Sequence, residues 1–486
     1  MPDRQAGVAL TEGTQNPFNG GLADLVTEVG RVRDFGGVVE GTPLAVAEVR
    51  TVDQVRRIFE AARNQGVPVV TQGTAHSCGG QSLLNGGIVM RNRLEGPARW
   101  ISETEIEAPS GATWRDVEST ANSRGRAAPV VPSVLDISVG GTLSVGGYGT
   151  TSPRRGAQID HVTGLELVSP DGQVRWCAPD ANEELFRCTL AGVGQLGVIT
   201  RVRLATTPET PDVSIYGYGC PSLSAMADSF SWMEDPRSWT PEYLRAFSYK
   251  PERPGILLYG AMGRRNGAEA IAGHESELEP ARRRLGNPQT RMSTDNVRAV
   301  EDEFDNNWVE RYPAHQRLWI DYGFSYPGFR AYCRELERLA RAGEFGKAIR
   351  AVYISVIPRS PHGPDYFPFD IRPTGMERTF TCGTYCMVPV GDAEALKRVR
   401  RALRRCQERM LELGGRPYVY GFNQMQPVDW RGAFGGEAVD RLLQLKATHD
   451  PMGTIPAPWD RIAPEGEVAA EGSRKRFRPG SLPVGG

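Results

Sequence analysis

Thr71-Gln72-Gly73-Thr74-Ala75-His76-Ser77-Cys78-Gly79-Gly80-Gln81 is a loop of small and polar residues entered from a short apolar strand, 67–70. Side chains this small let successive backbone N–H groups close around an anion, so the segment reads as a nest for phosphates. Ser77 and Gln81 add side-chain donors or acceptors, and His76 is the single imidazole in the loop. A neutral imidazole nitrogen is a competent nucleophile. Taken alone, the segment fits equally well a glycine-rich turn with a hydrogen-bonded histidine.

Working outward, the residues before the loop form a helix with a defined start and stop. Thr51-Val52-Asp53-Gln54 is a capping box, in which the Thr hydroxyl and the Gln side chain each satisfy a free backbone N–H. Val55, Ile58, Phe59 and Ala62 follow at helical spacing, and Gly66 with Pro68 ends the helix. After the loop, 88–90 reads as a strand, and Trp114, Val117 and Ala121 mark a second amphipathic helix. Leu165 and Leu167, the turn Pro170-Asp171-Gly172, and Val174 and Trp176 give a hairpin signal. This alternation predicts an α+β fold with mixed sheets.

A second glycine-rich stretch lies downstream. Val139-Gly140-Gly141-Thr142-Leu143-Ser144-Val145-Gly146-Gly147-Tyr148-Gly149 holds five glycines in eleven residues. Glycine at this density weakens any helix or strand, and close approach of backbone to a flat ligand would explain it. A third stretch, Gly192-Val193-Gly194-Gln195-Leu196-Gly197, has the form of a dinucleotide fingerprint in the wrong context. That fingerprint follows a strand and opens a helix. Here a helical stretch, 183–190, precedes it and the β-branched run 198–202 follows. A nicotinamide site is therefore not expected.

From about Pro208 the texture changes, with dense aromatics such as Tyr216, Tyr218, Trp232, Trp308, Trp319 and Tyr322. A long helix after Asp392 carries Leu396, Val399, Leu403, Cys406, Met410 and Leu413 on one side and stops at Gly414 and Gly415. Strand-like Tyr418-Val419-Tyr420 and a helix with Leu442, Leu443 and Leu445 come next. The organisation expected is a discontinuous first domain, 1–208 and 415–486, split by an inserted domain, 209–414.

Composition removes several function classes. The 486 residues carry a net charge of −1, with 40% apolar and 24% charged residues, so nothing draws the chain toward nucleic acid or anionic lipid. The exception is Arg474-Lys475-Arg476-Phe477-Arg478, read as a solvated tail. No run reaches the roughly 18 apolar residues of a membrane span. The N-terminus lacks a secretory signal, so a cytoplasmic location is expected. The eight cysteines form no CxxC pair, and His161, His274, His315, His362 and His449 share no ligand spacing, so no metal site is assigned.

Ala75-His76-Ser77, Gly140-Gly141-Thr142-Leu143-Ser144, Arg155-Gly156-Ala157-Gln158 and 192–200 resemble the cytokinin dehydrogenases in order and spacing. Those enzymes belong to the vanillyl-alcohol-oxidase-type (PCMH) FAD superfamily. The likeness is dense over 51–206 and weaker at Asp34-Phe35-Gly36, 315–321 and 446–455. The resemblance implies a PCMH-type FAD-binding domain with an inserted substrate domain of antiparallel sheet plus helices. It implies that His76 bonds to the 8α carbon of the flavin. Gln72, Gly73, Thr74, Ala75, His76 and Ser77 would cradle the pyrophosphate, with Gln81 close by. Ser138, Gly140, Gly141, Ser144 and Gly146 would line the cofactor, and Ile199 would meet the adenine end through its backbone.

In this family the substrate loses a hydride to the flavin while an acidic residue accepts a proton or hydrogen bond from its amine. Asp136, between Pro132-Ser133 and Gly140-Gly141-Thr142, is the candidate acid, although its interval is about three residues shorter than the family's. It could equally cap a turn. Tyr418 and Tyr420 match a strand that faces the flavin in relatives and could assist proton transfer or simply be core tyrosines. The segment that reads Ser-Pro-Gly-Gln in relatives is Pro456-Ala457-Pro458-Trp459 here. Berberine-bridge-type relatives add a second flavin link through cysteine, but the matching stretch, 128–132, has no thiol. A single covalent link is expected, with a small amine or alcohol as substrate and O2 or another acceptor taking the electrons. The alternative is a berberine-bridge-type alcohol or sugar oxidase or oxidative-cyclisation enzyme. A monomer or homodimer is expected.

Overall fold

Thr51 caps its helix as the sequence requires. Its hydroxyl accepts from the Gln54 N–H, the Gln54 side chain returns the bond, and Gly66 ends Val52–Gln65 in the left-handed region at φ 64°. The computed structural model describes residues 8–9, 21–209, 213–248, 251, 255–262, 278–294, 298 and 312–461. The basic stretch 474–478, His274 and Trp308 lie outside these described residues.

The chain is α+β and builds three main sheets. The first runs, in spatial order, Val8–Ala9, Val26–Val29, Ala45–Val49, Ile88–Asn92, Val69–Gln72. Its last three strands are parallel, and the helix Val52–Gln65 makes the crossover between Ala45–Val49 and the Val69–Gln72 edge. The second sheet is antiparallel, in the order Val174–Cys177, Val162–Val168, Val198–Ala205, Glu105–Pro109, Arg99–Trp100. The expected hairpin is its first pair.

The third sheet has eight antiparallel strands drawn from 213–417. Their order is Thr290–Thr294, Val213–Cys220, Gly255–Met262, Tyr243–Ser248, Ile349–Pro358, Arg378–Pro389, His315–Phe324, Arg416–Pro417. Alternation along these strands gives the sheet two different faces. Leu318, Ile320 and Tyr322, with Ile354 and Cys382, pack into one core with Leu336 and Tyr332 of helix Tyr326–Arg341 and Val399, Leu403 and Met410 of helix Ala393–Glu412. The intervening residues Trp319, Asp321, Tyr353, Ser355 and Tyr385 face a cavity instead.

Two local expectations need correction. Pairing after Gly415 stops at Arg416–Pro417, and Tyr418 to Tyr420 form a turn rather than a strand. The chain still follows the edge of His315–Phe324, with Tyr418 N–H donating to the Asp321 carbonyl and Phe422 N–H to that of Trp319. Between those two anchors it bows outward, which turns both phenols inward. The second glycine stretch is not wholly loop: Val139–Leu143 is a single helical turn. Its Gly140 packs against Ser110, where a Cβ would come within 2.8 Å of the serine side chain. Helices Pro427–Phe434 and Gly436–His449 pack through Trp430, Phe434, Val439 and Leu442 onto the core of the second sheet. No helix among the described residues is long and apolar enough to cross a membrane.

Candidate active site

A cavity of about 410 Å³ is lined by all three glycine loops and by one face of the eight-stranded sheet. Of the residues expected to hold a cofactor, Gly73, Thr74, Ala75, His76, Ser77, Gln81, Ser138, Gly140, Gly141, Ser144 and Ile199 reach it. Gln72 and Gly146 do not. The Gln72 side chain is buried and used within the protein, accepting from Arg91 Nε at 3.0 Å and donating to Ser82 Oγ at 3.4 Å. Gly146 turns toward Tyr148, whose ring would lie 3.1 Å from an added Cβ.

His76 is placed from both sides. Ala75, just before it, adopts φ 57°, an uncommon left-handed conformation for a side-chain-bearing residue that turns the imidazole inward. Asp34 accepts from the Gly80 N–H at 3.1 Å, which holds the far end of the loop, and Arg317 N–H donates to the Gly36 carbonyl. Between these anchors Phe35 meets the His76 ring at 4.1 Å between centroids, and Trp319 meets it edge-on at 6.0 Å. Burial, then the nearby Arg317 cation, push the imidazole pKa down to about 4. His76 is thus neutral at neutral pH, the form that has a nucleophilic lone pair.

Asp136 does not reach the cavity. Its neighbours Val134 and Ile137 face inward, while its own side chain is 67% exposed and takes two bonds from Arg115, at 2.7 and 3.1 Å. The interval before Gly140 therefore leaves this acid on the solvent side, as part of a surface ion pair.

The acid on the cavity wall is Asp321, to which the sequence reading gave no role. It is buried on the strand His315–Phe324, accepting from Tyr420 Oη at 2.6 Å and from Tyr385 Oη at 3.2 Å. Its cross-strand neighbour is Gly383, and a Cβ there would overlap the carboxyl group. Burial raises the Asp321 pKa to about 7, against the lowering effect of the two phenol hydrogen bonds. Tyr418 completes the group: its hydroxyl accepts from the Gly147 N–H at 3.2 Å, and its ring meets Tyr420 and Tyr148 edge-on at 4.8 and 5.0 Å. A phenol bonded to a poised carboxylate can accept a proton from a substrate and pass its own to the carboxylate.

The cavity wall offers backbone and cationic groups to an anionic cofactor. Bare backbone faces it at Gly73 and Gly141, where an added Cβ would collide with Ser138 Oγ or come within 2.8 Å of it. Trp319 and Arg461 also line it, their Nε1 and Nε atoms enclosed and without a partner among the described residues.

Comparison with known proteins agrees with this geometry. Residues 43–178 match the FAD binding domain family. An uncharacterized oxidoreductase in the fasciation locus of Rhodococcoides fascians is 35% identical over 185 residues, 38% of this chain and 42% of that protein. Cytokinin dehydrogenase 4 of Oryza sativa subsp. japonica is 35% identical over 187 residues, 36% of this chain and 35% of that one. Cytokinin dehydrogenase 1 of the same plant is 34% identical over 218 residues, 42% of this chain and 41% of that one. The matched stretch spans less than half the length of these curated relatives. The chain thus carries an FAD-binding domain, and over that region it is similar to cytokinin dehydrogenases and to an oxidoreductase.

Proposed function

We propose that this protein holds FAD covalently through His76 and oxidises a small organic amine or alcohol, with Asp321 and Tyr420 taking up the substrate proton. The observation that carries the reading is the position of two unlike groups on one cavity: a neutral imidazole in a glycine cradle, and a buried carboxyl held by phenols. Bound FAD would supply the redox chemistry, accepting two electrons with a hydride from the substrate carbon. The protein's own residues supply the rest. The loops 71–81 and 138–144 would grip the cofactor by backbone amides. Tyr420 Oη would meet the substrate N–H or O–H, accept its proton, and give its own proton to Asp321 Oδ2, 2.6 Å away. Tyr385 would hold the second carboxyl oxygen so that this transfer keeps its direction. The sheet formed by 213–417 would then be the substrate side of the enzyme, and the loops of the first two sheets the cofactor side. O2 or another acceptor would reoxidise the flavin.

The test is a screen of amines and alcohols against purified, yellow protein without oxygen. A substrate should bleach the visible flavin absorbance, and Asp321→Asn should retain the colour but bleach far more slowly. Protein without flavin, and unable to take it up, refutes the reading.

A further inference from the structure

We propose that Arg461 is the cation that neutralises the diphosphate of the bound dinucleotide; the proposal rests on the flavin reading above. Arg461 is buried in the cavity wall. Nη1 donates to the Gln81 carbonyl at 2.7 Å and Nη2 to the Val193 carbonyl at 3.0 Å, while Nε has no partner among the described residues. The side chain therefore joins the end of the first glycine loop to the third, and each terminal nitrogen keeps a second N–H beyond these bonds.

Its charge is also unanswered. Among the described residues no carboxylate pairs with Arg461, and burial alone pushes its pKa down to about 10. The contrast is Arg372, as deeply buried but held by Asp160 and Asp370 at 2.6 and 2.5 Å. Arg317 is likewise buried and held by carbonyls, but Arg461 differs in lying on the cavity wall, where an anionic ligand can supply the missing charge. None of the stretches 71–81, 138–149 and 192–197 contains Lys or Arg, so only uncharged groups of these loops would face the negative charges there. The other arginine on the wall, Arg245, projects from the strand Tyr243–Ser248 of the large sheet, whereas Arg461 is bonded to two of the loops themselves. It follows the helical turn Pro458–Asp460, and Gln195 Nε2 secures that segment through the Pro456 carbonyl at 3.1 Å. A guanidinium suits phosphate oxygens in geometry as well as charge.

The test uses His76→Ala protein, in which flavin binding is reversible. FAD and riboflavin, which lacks the phosphates, are titrated by fluorescence into this protein and into versions that also carry Arg461→Met or Arg461→Lys. Arg461→Met should weaken FAD about 10- to 100-fold and riboflavin by less than about twofold, with partial recovery in Arg461→Lys. Phosphorus NMR of bound FAD should show both phosphate signals moving when Arg461→Met is introduced. Equal weakening of the two flavins with unmoved phosphorus signals would make Arg461 a structural tie between loops and overturn the proposal, as would unchanged FAD affinity. If the protein with Arg461 intact binds neither flavin, the flavin reading itself fails, and this proposal with it.

Discussion

Asp321 and Asp136 differ by environment rather than by type. Asp136 faces water and Arg115, an exposed pair worth about 1 kcal/mol or less, so Asp136→Asn should leave kcat and stability nearly unchanged. Asp321 has no cation within bonding distance among the described residues, and desolvation holds its pKa near 7. A proton acceptor works when ionised, so turnover should rise with pH through about 7 and level off above it. Asp321→Asn should lower kcat roughly 10²- to 10⁴-fold and remove that limb from the kcat–pH profile. A profile that keeps the limb in the variant would assign it to another group. The sequence showed Asp136 because it stands beside a recognisable loop. It could not show Asp321, because the residues that make it an acid–base group, Tyr385 and Tyr420, lie 64 and 99 positions away. His76 drew attention because it stands in a glycine-rich loop, although the rings that flank it, Phe35 and Trp319, lie far along the chain.

Helices and strands with local punctuation were readable in advance. Thr51, Gly66 and Pro68 bracket the first helix, and the helix Ala393–Glu412 lies where its apolar stripe put it. Elements whose form depends on distant contacts were not. Tyr418 to Tyr420 have the composition of a strand, yet bow into a turn because the edge of His315–Phe324 takes hydrogen bonds only at either end. Val139–Leu143 is helical despite its glycines because it packs on Ser110. The strand Arg378–Pro389 shows how one element serves another: Gly383 leaves the space that the Asp321 carboxyl occupies. Its backbone is ordinary extended strand, so Gly383→Ala should fold normally while pushing the carboxyl away from Tyr420. We expect kcat to fall at least about tenfold with little change in the thermal midpoint. A variant of full activity would mean that the carboxyl position is immaterial.

Across the molecule, the glycine loops and the eight-stranded sheet must hold register to about an ångström for the two halves of the cavity to meet. A buried ionic cluster lies at that seam. Arg372, in the loop between strands Ile349–Pro358 and Arg378–Pro389, binds Asp370 beside it and Asp160 beside the second sheet, and Tyr148 donates to Asp370 at 2.8 Å. Arg372→Met leaves two buried carboxylates without their cation and should cost about 3–5 kcal/mol in denaturant unfolding. A loss below about 1 kcal/mol would show that the cluster does not hold the seam. The α+β class and the glycine-rich stretches that line the cavity were legible because local spacing marks them. The strand order of the large sheet, and hence the opposite wall of the cavity, was not, because long-range pairing leaves no local mark. The central claim is tested most directly by mass spectrometry of the intact protein and of its tryptic peptide 64–91, which contains a single histidine, His76. One FAD per chain is expected, carried on that peptide and lost in His76→Ala. An unmodified peptide from protein that contains no flavin would contradict it.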